Sequence, residues 1–139
     1  MPFVYHQKVK FRHCDPAGIV FYPRYFEMMN DTVEDFFEKV ALLPFSGMQQ
    51  KCGIPTAGIE AQFQAPSRLG DQLEIALTIT RLGRSSLGLA YDARCEGAPR
   101  FTASSTVVFI DDKGRPAPWT DAIRTRLDRF IKKETPDGK

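Results

Sequence analysis

The hydrophobic pattern of this chain changes its period once, and that change limits what the chain can fold into. Between positions 23 and 40, apolar residues recur every three or four positions, which is typical of one face of an amphipathic helix. These residues are Tyr25, Phe26, Met29, Val33, Phe36, Phe37 and Val40. Pro23 suits the first helical position, where a missing N–H is harmless. The pattern predicts a long helix that begins at Pro23 and ends before Pro44.

After this helix the apolar residues alternate with polar ones, which is typical of strands. The alternating stretches are 59–65, 73–79, 87–95 and 101–109. Turn-forming residues separate them, so we expect consecutive antiparallel strands. An earlier strand is predicted near the start of the chain, with one apolar face formed by Phe3, Tyr5, Val9 and Phe11.

Two smaller helical features complete the predicted elements. A short helical turn is expected around 47–51, inside the loop that follows the long helix. A second helix is expected after Thr120, whose side chain suits an N-cap. Its apolar stripe comprises Ile123, Leu127, Phe130 and Ile131. The tail from 134 to 139 is expected to fray.

A sheet with one apolar face must bury that face against another element. The long helix is the only early element with enough apolar surface to do so. The sequence therefore predicts an α+β fold, in which one curved antiparallel sheet wraps around one central helix. The 139 residues suit a single domain that spans 1–139. The sheet keeps open edges, which can pair with another copy, so we expect a dimer with a continuous sheet.

The charge balance and the cysteines argue against several classes of function. The 19 Lys and Arg residues and the 17 Asp and Glu residues leave a net charge of +2, which does not favour a nucleic-acid binder. The three cysteines lack C-x-x-C spacing, which argues against a disulfide framework and a zinc site. The sequence shows no signal-peptide pattern and no membrane-spanning run. We therefore expect a cytoplasmic protein with no membrane partner.

The stretch from 11 to 26 carries the candidate chemistry. A strand ends, Asp15 follows in a turn with Pro16 and Gly18, and the long helix begins a few residues later. A helix N-terminus offers unpaired N–H groups, and an ionised carboxylate beside it can act as nucleophile or base. Together they are suited to attack on a carbonyl group and to holding the resulting oxyanion. The structural alternative is that Asp15 only caps a turn, as Asp before Pro often does.

This stretch closely resembles the signature of the 4-hydroxybenzoyl-CoA thioesterase family of hotdog-fold proteins. The matching residues are Cys14, Asp15, Pro16, Ala17, Gly18, Ile19 and Val20, followed by Tyr22, Pro23 and Tyr25. Looser matches at 65–71 and 81–87 extend the resemblance over essentially the whole chain. The resemblance implies a hotdog-fold enzyme that hydrolyses acyl-CoA thioesters. It also implies that the enzyme needs no metal or redox cofactor, because coenzyme A is part of the substrate. It also implies a homodimer or a homotetramer (a dimer of dimers), with sites at the subunit interface.

The resemblance also assigns roles to individual residues. Asp15 is implied as the catalytic carboxylate and the backbone N–H of Tyr22 as the oxyanion donor, while Gly18 lets the loop pass close to the substrate. Pro23 matches the hydroxybenzoyl branch, which implies an aromatic acyl group of the benzoyl or 4-hydroxybenzoyl type. The residues implied at the acyl group are Gly58, Ile59 and Glu60. The residues implied at the phosphates of CoA are Arg81, Arg84 and Ser85, for which a solvated turn is the alternative.

Other interpretations of the same residues stay open. His13, Cys14 and Asp15 do not suggest a catalytic triad, because adjacent residues in an extended chain point to alternate sides. We expect His13 at the surface and Cys14 in a packing role. A hydratase or dehydratase would need a His for proton transfer, and only His6 and His13 are present. The further alternatives are a short-chain aliphatic acyl-CoA thioesterase, a non-enzymatic acyl-CoA binding protein and a nucleic-acid binder.

Overall fold

The computed structural model describes residues 2–132, so the predicted fraying of 134–139 lies outside the described residues. The strands are β1 (Phe3–Lys8), β2 (Thr56–Phe63), β3 (Gln72–Leu82), β4 (Ser86–Cys95) and β5 (Ala98–Val108). The helices are α1 (Pro23–Lys39), α2 (Phe45–Met48) and α3 (Asp121–Asp128), with a 3-10 turn at Phe11–His13. The predicted α+β class and the long helix are confirmed. None of the helices in this described range has the length and apolar character needed to cross a bilayer.

The five strands form one antiparallel sheet in the order β1-β3-β4-β5-β2. The predicted run of consecutive neighbours holds for β3, β4 and β5, but it is wrong for β2, which pairs with β5. The reason is that β3 already has a partner on each side, because β1 pairs with one edge and β4 with the other. β2 therefore takes the free side of β5, from Thr56 opposite Val107 to Phe63 opposite Phe101.

α1 covers the apolar face of the sheet and supplies much of the core. Its buried side chains are Tyr25, Met28, Met29, Thr32, Val33, Phe36 and Phe37. The ring of the fully buried Phe36 makes edge contacts with Phe3 and Phe130, at centroid distances of 5.4 and 5.3 Å. Thr32, the polar member of this set, donates its hydroxyl to the carbonyl of Met28 at 2.8 Å. The helical period of the sequence therefore predicts five of these seven buried residues; it omits Met28 and Thr32, and it includes Phe26 and Val40, which are half-buried.

Two boundaries early in the chain differ from the prediction. β1 ends at Lys8, and Phe11, predicted on its apolar face, lies in the 3-10 turn and is 83% exposed. The turn forms because the N–H of His13 bonds back to the carbonyl of Lys10 at 2.9 Å, which ends the extended chain. The short helix begins at Phe45, ahead of the predicted 47–51, because the carbonyl of Pro44 already accepts the N–H of Gly47 at 2.9 Å.

α3 is shorter than its apolar stripe. Thr120 caps it as predicted, because its Oγ1 accepts the N–H of Ile123 at 3.2 Å. The helix ends at Asp128, so Phe130 and Ile131 lie beyond it. After the helix, the segment that contains Phe130 and Ile131 runs beside β3. The carbonyl of Phe130 accepts the N–H of Ile79 there at 2.9 Å.

β2 is an exposed edge of the sheet. All its residues are exposed except Ala61, which is half-buried. Ile59 and Phe63 belong to its predicted apolar face, yet they are 46% and 47% exposed. Within residues 2–132, β5 is the only strand that pairs with β2, so its other edge presents unpaired backbone groups. This edge is therefore free to pair with another chain.

Candidate active site

The loop from Cys14 to Tyr22 connects the 3-10 turn to α1 and carries Asp15. The N–H of Asp15 donates to the carbonyl of Ile19 at 3.0 Å, and the N–H of Gly18 donates to the carbonyl of Asp15 at 2.9 Å. Gly18 has a φ of +83°, a conformation that residues with side chains rarely adopt, so glycine allows the loop to turn back. Cys14 is half-buried against the core, in the packing role predicted for it. These contacts hold Asp15 on a tight turn shortly before the helix.

The carboxylate of Asp15 has one oxygen engaged and one free. Oδ1 accepts the N–H of Ala17 at 2.9 Å, which is the contact of a turn-capping aspartate. Oδ2 accepts no hydrogen bond from the part of the chain that the structure describes, and Asp15 is half-buried. The two interpretations of Asp15 are compatible, because the cap fixes the carboxylate and leaves its second oxygen unbound.

The backbone N–H of Tyr22 lies at the N-terminus of α1. Tyr22 is the N-cap residue, and Pro23 after it contributes no N–H. The N–H of Phe21 donates to the carbonyl of His13 at 2.9 Å. The N–H of Tyr22, in contrast, has no acceptor among the described residues 2–132. Unpaired N–H groups at a helix start attract negative charge, so this group is suited to stabilising an oxyanion.

His13 supports this loop from inside, so the prediction of a surface position is wrong. The residue is 1% exposed, and its Nδ1 accepts the N–H of Lys10 at 2.8 Å. Burial lowers the pKa of His13, and the positive charge of Arg12 acts in the same direction. A neutral ring that accepts at Nδ1 carries its proton on Nε2. The 3-10 turn causes the difference from the prediction, because it places His13 inside and Phe11 outside.

A cavity of about 350 Å³ lies between α1, α2 and the inner faces of β2, β4 and β5. Its walls are mostly apolar and include Met29, Val33, Phe45, Met48, Ile54 and Val107. Its polar side chains include Asn30, Tyr91 and Ser105, and none of the described residues that line it carries a charge. Asp15 and Tyr22 do not line it. Its polar residues could not be predicted from the sequence, because Tyr91 and Ser105 occupy ordinary alternating positions in two core strands.

The three residues predicted at the acyl group divide between the two faces of the sheet. Ile59 lies opposite Ser105 in the ladder, and both line the cavity. Side chains alternate along a strand, so Gly58 and Glu60 face the other side. Glu60 there accepts a hydrogen bond from the hydroxyl of Ser104 at 3.5 Å. The structure thus brings Ile59 to the cavity, and it separates Gly58 and Glu60 from it.

The predicted phosphate-binding residues Arg81, Arg84 and Ser85 lie at the hairpin between β3 and β4. This hairpin shares one end of the sheet with the start of β2, because Leu87 and Thr56 both pair with Val107. Arg81 and Arg84 are exposed. The hairpin and the residues of β2 that line the cavity therefore lie at the same end of the protomer.

The loop that carries Asp15 lies at the opposite end of the sheet. Ile19 forms a bridge with Arg68, and the N–H of Val20 donates to the carbonyl of Ser67 at 2.8 Å. Ser67 and Arg68 lie a few residues before the start of β3, whereas the hairpin follows its end. Within one protomer, Asp15 therefore does not line the cavity and lies at the opposite end of the sheet from the predicted phosphate-binding residues.

Two curated enzymes that are similar to this chain are named for the hydrolysis of acyl-CoA thioesters. The family described as "Thioesterase-like superfamily" matches residues 9–127 of this chain. The 4-hydroxybenzoyl-CoA thioesterase of Pseudomonas sp. (strain CBS-3) is 31% identical over 83 residues, which span 58% of this chain and 59% of that enzyme. The 1,4-dihydroxy-2-naphthoyl-CoA hydrolase of Synechococcus sp. (strain RCC307) is 26% identical over 118 residues, which span 79% of this chain and 90% of that enzyme.

Solved structures share the architecture of this chain. The structure of a gentisyl-coenzyme A thioesterase superposes with a TM-score of 0.81 at 28% identity, covering 91% of this chain and 99% of that one. The family resemblance and the hotdog fold predicted from the sequence are thereby confirmed. Because the family match extends over most of its length, the chain belongs to the Thioesterase-like superfamily.

Proposed function

We propose that this protein hydrolyses acyl-CoA thioesters to a free acid and coenzyme A. The observation that carries the proposal is the loop geometry, in which Asp15 keeps an unbound carboxylate oxygen shortly before the unpaired N–H of Tyr22. A carboxylate and an oxyanion donor are the two groups that attack on a thioester carbonyl requires. The names of the related enzymes support the same reaction.

Two routes use these groups and give the same products. In the first, Asp15 attacks the carbonyl carbon, the C–S bond breaks, CoA leaves as its thiolate, and water then hydrolyses the mixed anhydride. In the second, Asp15 takes a proton from water, the hydroxide adds to the carbonyl carbon, and the C–S bond then breaks, so that CoA leaves as its thiolate and takes up the proton. The Tyr22 N–H stabilises the oxyanion in both, a contribution worth about 10²–10³ in rate at comparable sites. Neither route draws on a cofactor, since CoA is part of the substrate and water is the second reactant.

The proposed site is complete only when two protomers combine. β2 spans roughly 23 Å, at about 3.3 Å per residue. The Tyr22 ring lies 6.0 Å from that of Phe63 at one end of β2, and Thr56 lines the cavity at the other end. If two β2 strands pair antiparallel along their exposed edges, the Phe63 end of one meets the Thr56 end of the other. Such pairing brings Asp15 of one protomer to the cavity of its partner.

This dimer accounts for the residues that a single protomer keeps apart. Asp15, Gly18 and Tyr22 come from one copy, while the cavity and the hairpin with Arg81 and Arg84 come from the other. The hairpin guanidinium groups are suited to the phosphates of CoA, and Ser85 lies beside them in the chain. We propose a homodimer as the active unit, and two such dimers can associate as a homotetramer. A cytoplasmic location stays a prediction from the sequence.

An aromatic acyl group is the proposed substrate class. Related enzymes are named for 4-hydroxybenzoyl, 1,4-dihydroxy-2-naphthoyl and gentisyl groups. A cavity of about 150 Å³ holds one benzene ring, so the volume of about 350 Å³ suffices for one or two fused rings. The apolar walls suit a ring as well. Short aliphatic acyl groups would leave much of this volume unfilled.

Release of free thiol from a panel of aromatic and aliphatic acyl-CoA esters tests the proposal. The Asp15→Asn variant is expected to lose at least about 10²-fold in kcat, because amide nitrogen and oxygen neither attack nor accept the proton. Asp112→Asn, at an exposed turn, is the matched control and should keep full turnover. Full turnover in Asp15→Asn would overturn the mechanism. No turnover of any ester by the unaltered protein would favour a non-enzymatic acyl-CoA binding protein.

A further inference from the structure

Two hydroxyl groups meet on the sheet side of the cavity. Tyr91 lies on β4 and Ser105 on β5, and both line the cavity. The hydroxyl oxygen of Tyr91 is 2.8 Å from Oγ of Ser105. The two residues are only 4% and 7% exposed. A polar pair therefore lies within a surface that is otherwise mostly apolar.

The hydrogen-bonding capacity of this pair is only partly used. Each hydroxyl carries one donor proton and two acceptor lone pairs. The bond between them uses one proton, and no other side-chain hydrogen bond involves either hydroxyl within residues 2–132. The second proton is therefore free to serve a ligand. Burial raises the pKa of Tyr91, so its hydroxyl stays protonated at neutral pH.

We propose that Tyr91 and Ser105 are specificity-determining residues that select acyl groups with a neutral oxygen substituent, such as a phenolic hydroxyl, on the ring. The proposal rests on the proposed function, because it assigns this cavity to the acyl group. A buried donor without a partner is unfavourable, so a substituent that pairs with it is preferred over bare carbon. Because no charged residue among 2–132 lines the cavity, an ionised substituent would lose its water without gaining a counter-ion from this part of the chain.

The ratio of kcat/KM for 4-hydroxybenzoyl-CoA to that for benzoyl-CoA tests the pair. We expect the unaltered protein to favour the hydroxylated ester about tenfold, the scale of one hydrogen bond. The double variant Tyr91→Phe with Ser105→Ala removes both donor protons and should bring this ratio close to unity, whereas each single variant leaves one hydroxyl in the cavity. Tyr5→Phe removes a phenolic hydroxyl outside the cavity and should keep the preference. Equal losses for both esters in the double variant would indicate a structural role only, and would overturn the proposal.

Binding measurements separate failure of this proposal from failure of the hydrolase proposal. Calorimetric titration of both esters into the Asp15→Asn variant should show the same preference of about tenfold, removed when Tyr91→Phe and Ser105→Ala are both added. If the unaltered protein hydrolyses neither ester but this preference persists, the hydrolase proposal is wrong and the role of the pair stands. Equal affinity for the two esters, or binding of neither, would overturn the role of the pair.

Discussion

The buried His13, which packs beneath the Asp15 loop, makes the stability of this region depend on pH. His13 is buried, and its Nδ1 accepts the N–H of Lys10, while its carbonyl accepts the N–H of Phe21. A protonated ring would have no lone pair for the first of these bonds. Its lowered pKa means that the folded chain binds fewer protons than the unfolded chain below about pH 6.5. Stability is therefore expected to fall as the pH falls from that value towards the pKa of His13 in the folded state.

His13→Asn should weaken this acid sensitivity. The amide oxygen can replace Nδ1 as acceptor, and the variant does not titrate in this range. In the unaltered chain, we expect the titration of His13 to lower the free energy of unfolding by up to about 1.4 kcal/mol for each pH unit below about pH 6.5. Urea unfolding at fixed protein concentration, at pH values on either side of 6.5, measures the slope. His6→Asn removes an exposed histidine and is the control. Identical slopes in His13→Asn and the unaltered chain would contradict the coupling.

The sequence predicts the functional role of some single residues and not of others. Asp15 is recognisable because a short motif surrounds it, and its turn geometry follows from Pro16 and Gly18 nearby. Tyr91 and Ser105 are not recognisable, because an inward position on a strand looks the same whether it faces packed core or a cavity. The cavity exists because α1, α2 and three strands do not close completely, which is a property of the assembled elements.

At the level of elements, local chemistry fixes the helix starts well. α1 begins at Pro23 and α3 is capped by Thr120, as their side chains predict. Elements whose limits depend on distant partners are predicted less well. Phe11 belongs to a segment with strand-forming residues, yet backbone bonds of the 3-10 turn remove it from β1. The pairing of β2 with β5 could not be predicted either, because alternation identifies strands without naming their neighbours.

Thr120→Ala should destabilise the protein by about 1 kcal/mol through loss of the α3 cap. The hydroxyl of Thr120 satisfies the N–H of Ile123, which otherwise lies in a helix turn without acceptors. Thr120→Ser keeps a hydroxyl at the same place and should retain most of the stability. Urea unfolding of the three proteins under one set of conditions provides the comparison. A serine variant as unstable as the alanine variant would show that the hydroxyl does not stabilise α3.

At the level of the whole molecule, the fold places residues of one proposed site at opposite ends of a protomer. Asp15 is linked to the Ser67–Arg68 end, and the cavity and the hairpin lie towards the Thr56 end. Sequence proximity cannot disclose this separation, which depends on strand directions in the finished sheet. The exposed edge of β2 offers one arrangement that joins the halves, with each dimer holding two equivalent sites by symmetry.

Subunit complementation tests this shared hydrolase site directly. Asp15→Asn removes the carboxylate, and Asn30→Trp fills the mouth of the cavity, where Asn30 is exposed on α1. Each variant alone is expected to be inactive, whereas Asn30→Ala should leave the cavity open and the protein active. Mixed dimers of the two inactive variants, isolated through two different affinity tags, carry one site with an intact Asp15 facing an intact cavity.

Thiol release from the best acyl-CoA substrate is then compared between the mixed dimer, both parents and the unaltered protein. If Asp15 of one protomer works with the cavity of its partner, the mixed dimer should recover about half of the unaltered activity, because one of its two symmetric sites is intact. A mixed dimer as inactive as its parents would contradict the account, since Asp15 and the cavity would then have to serve one site within the same protomer.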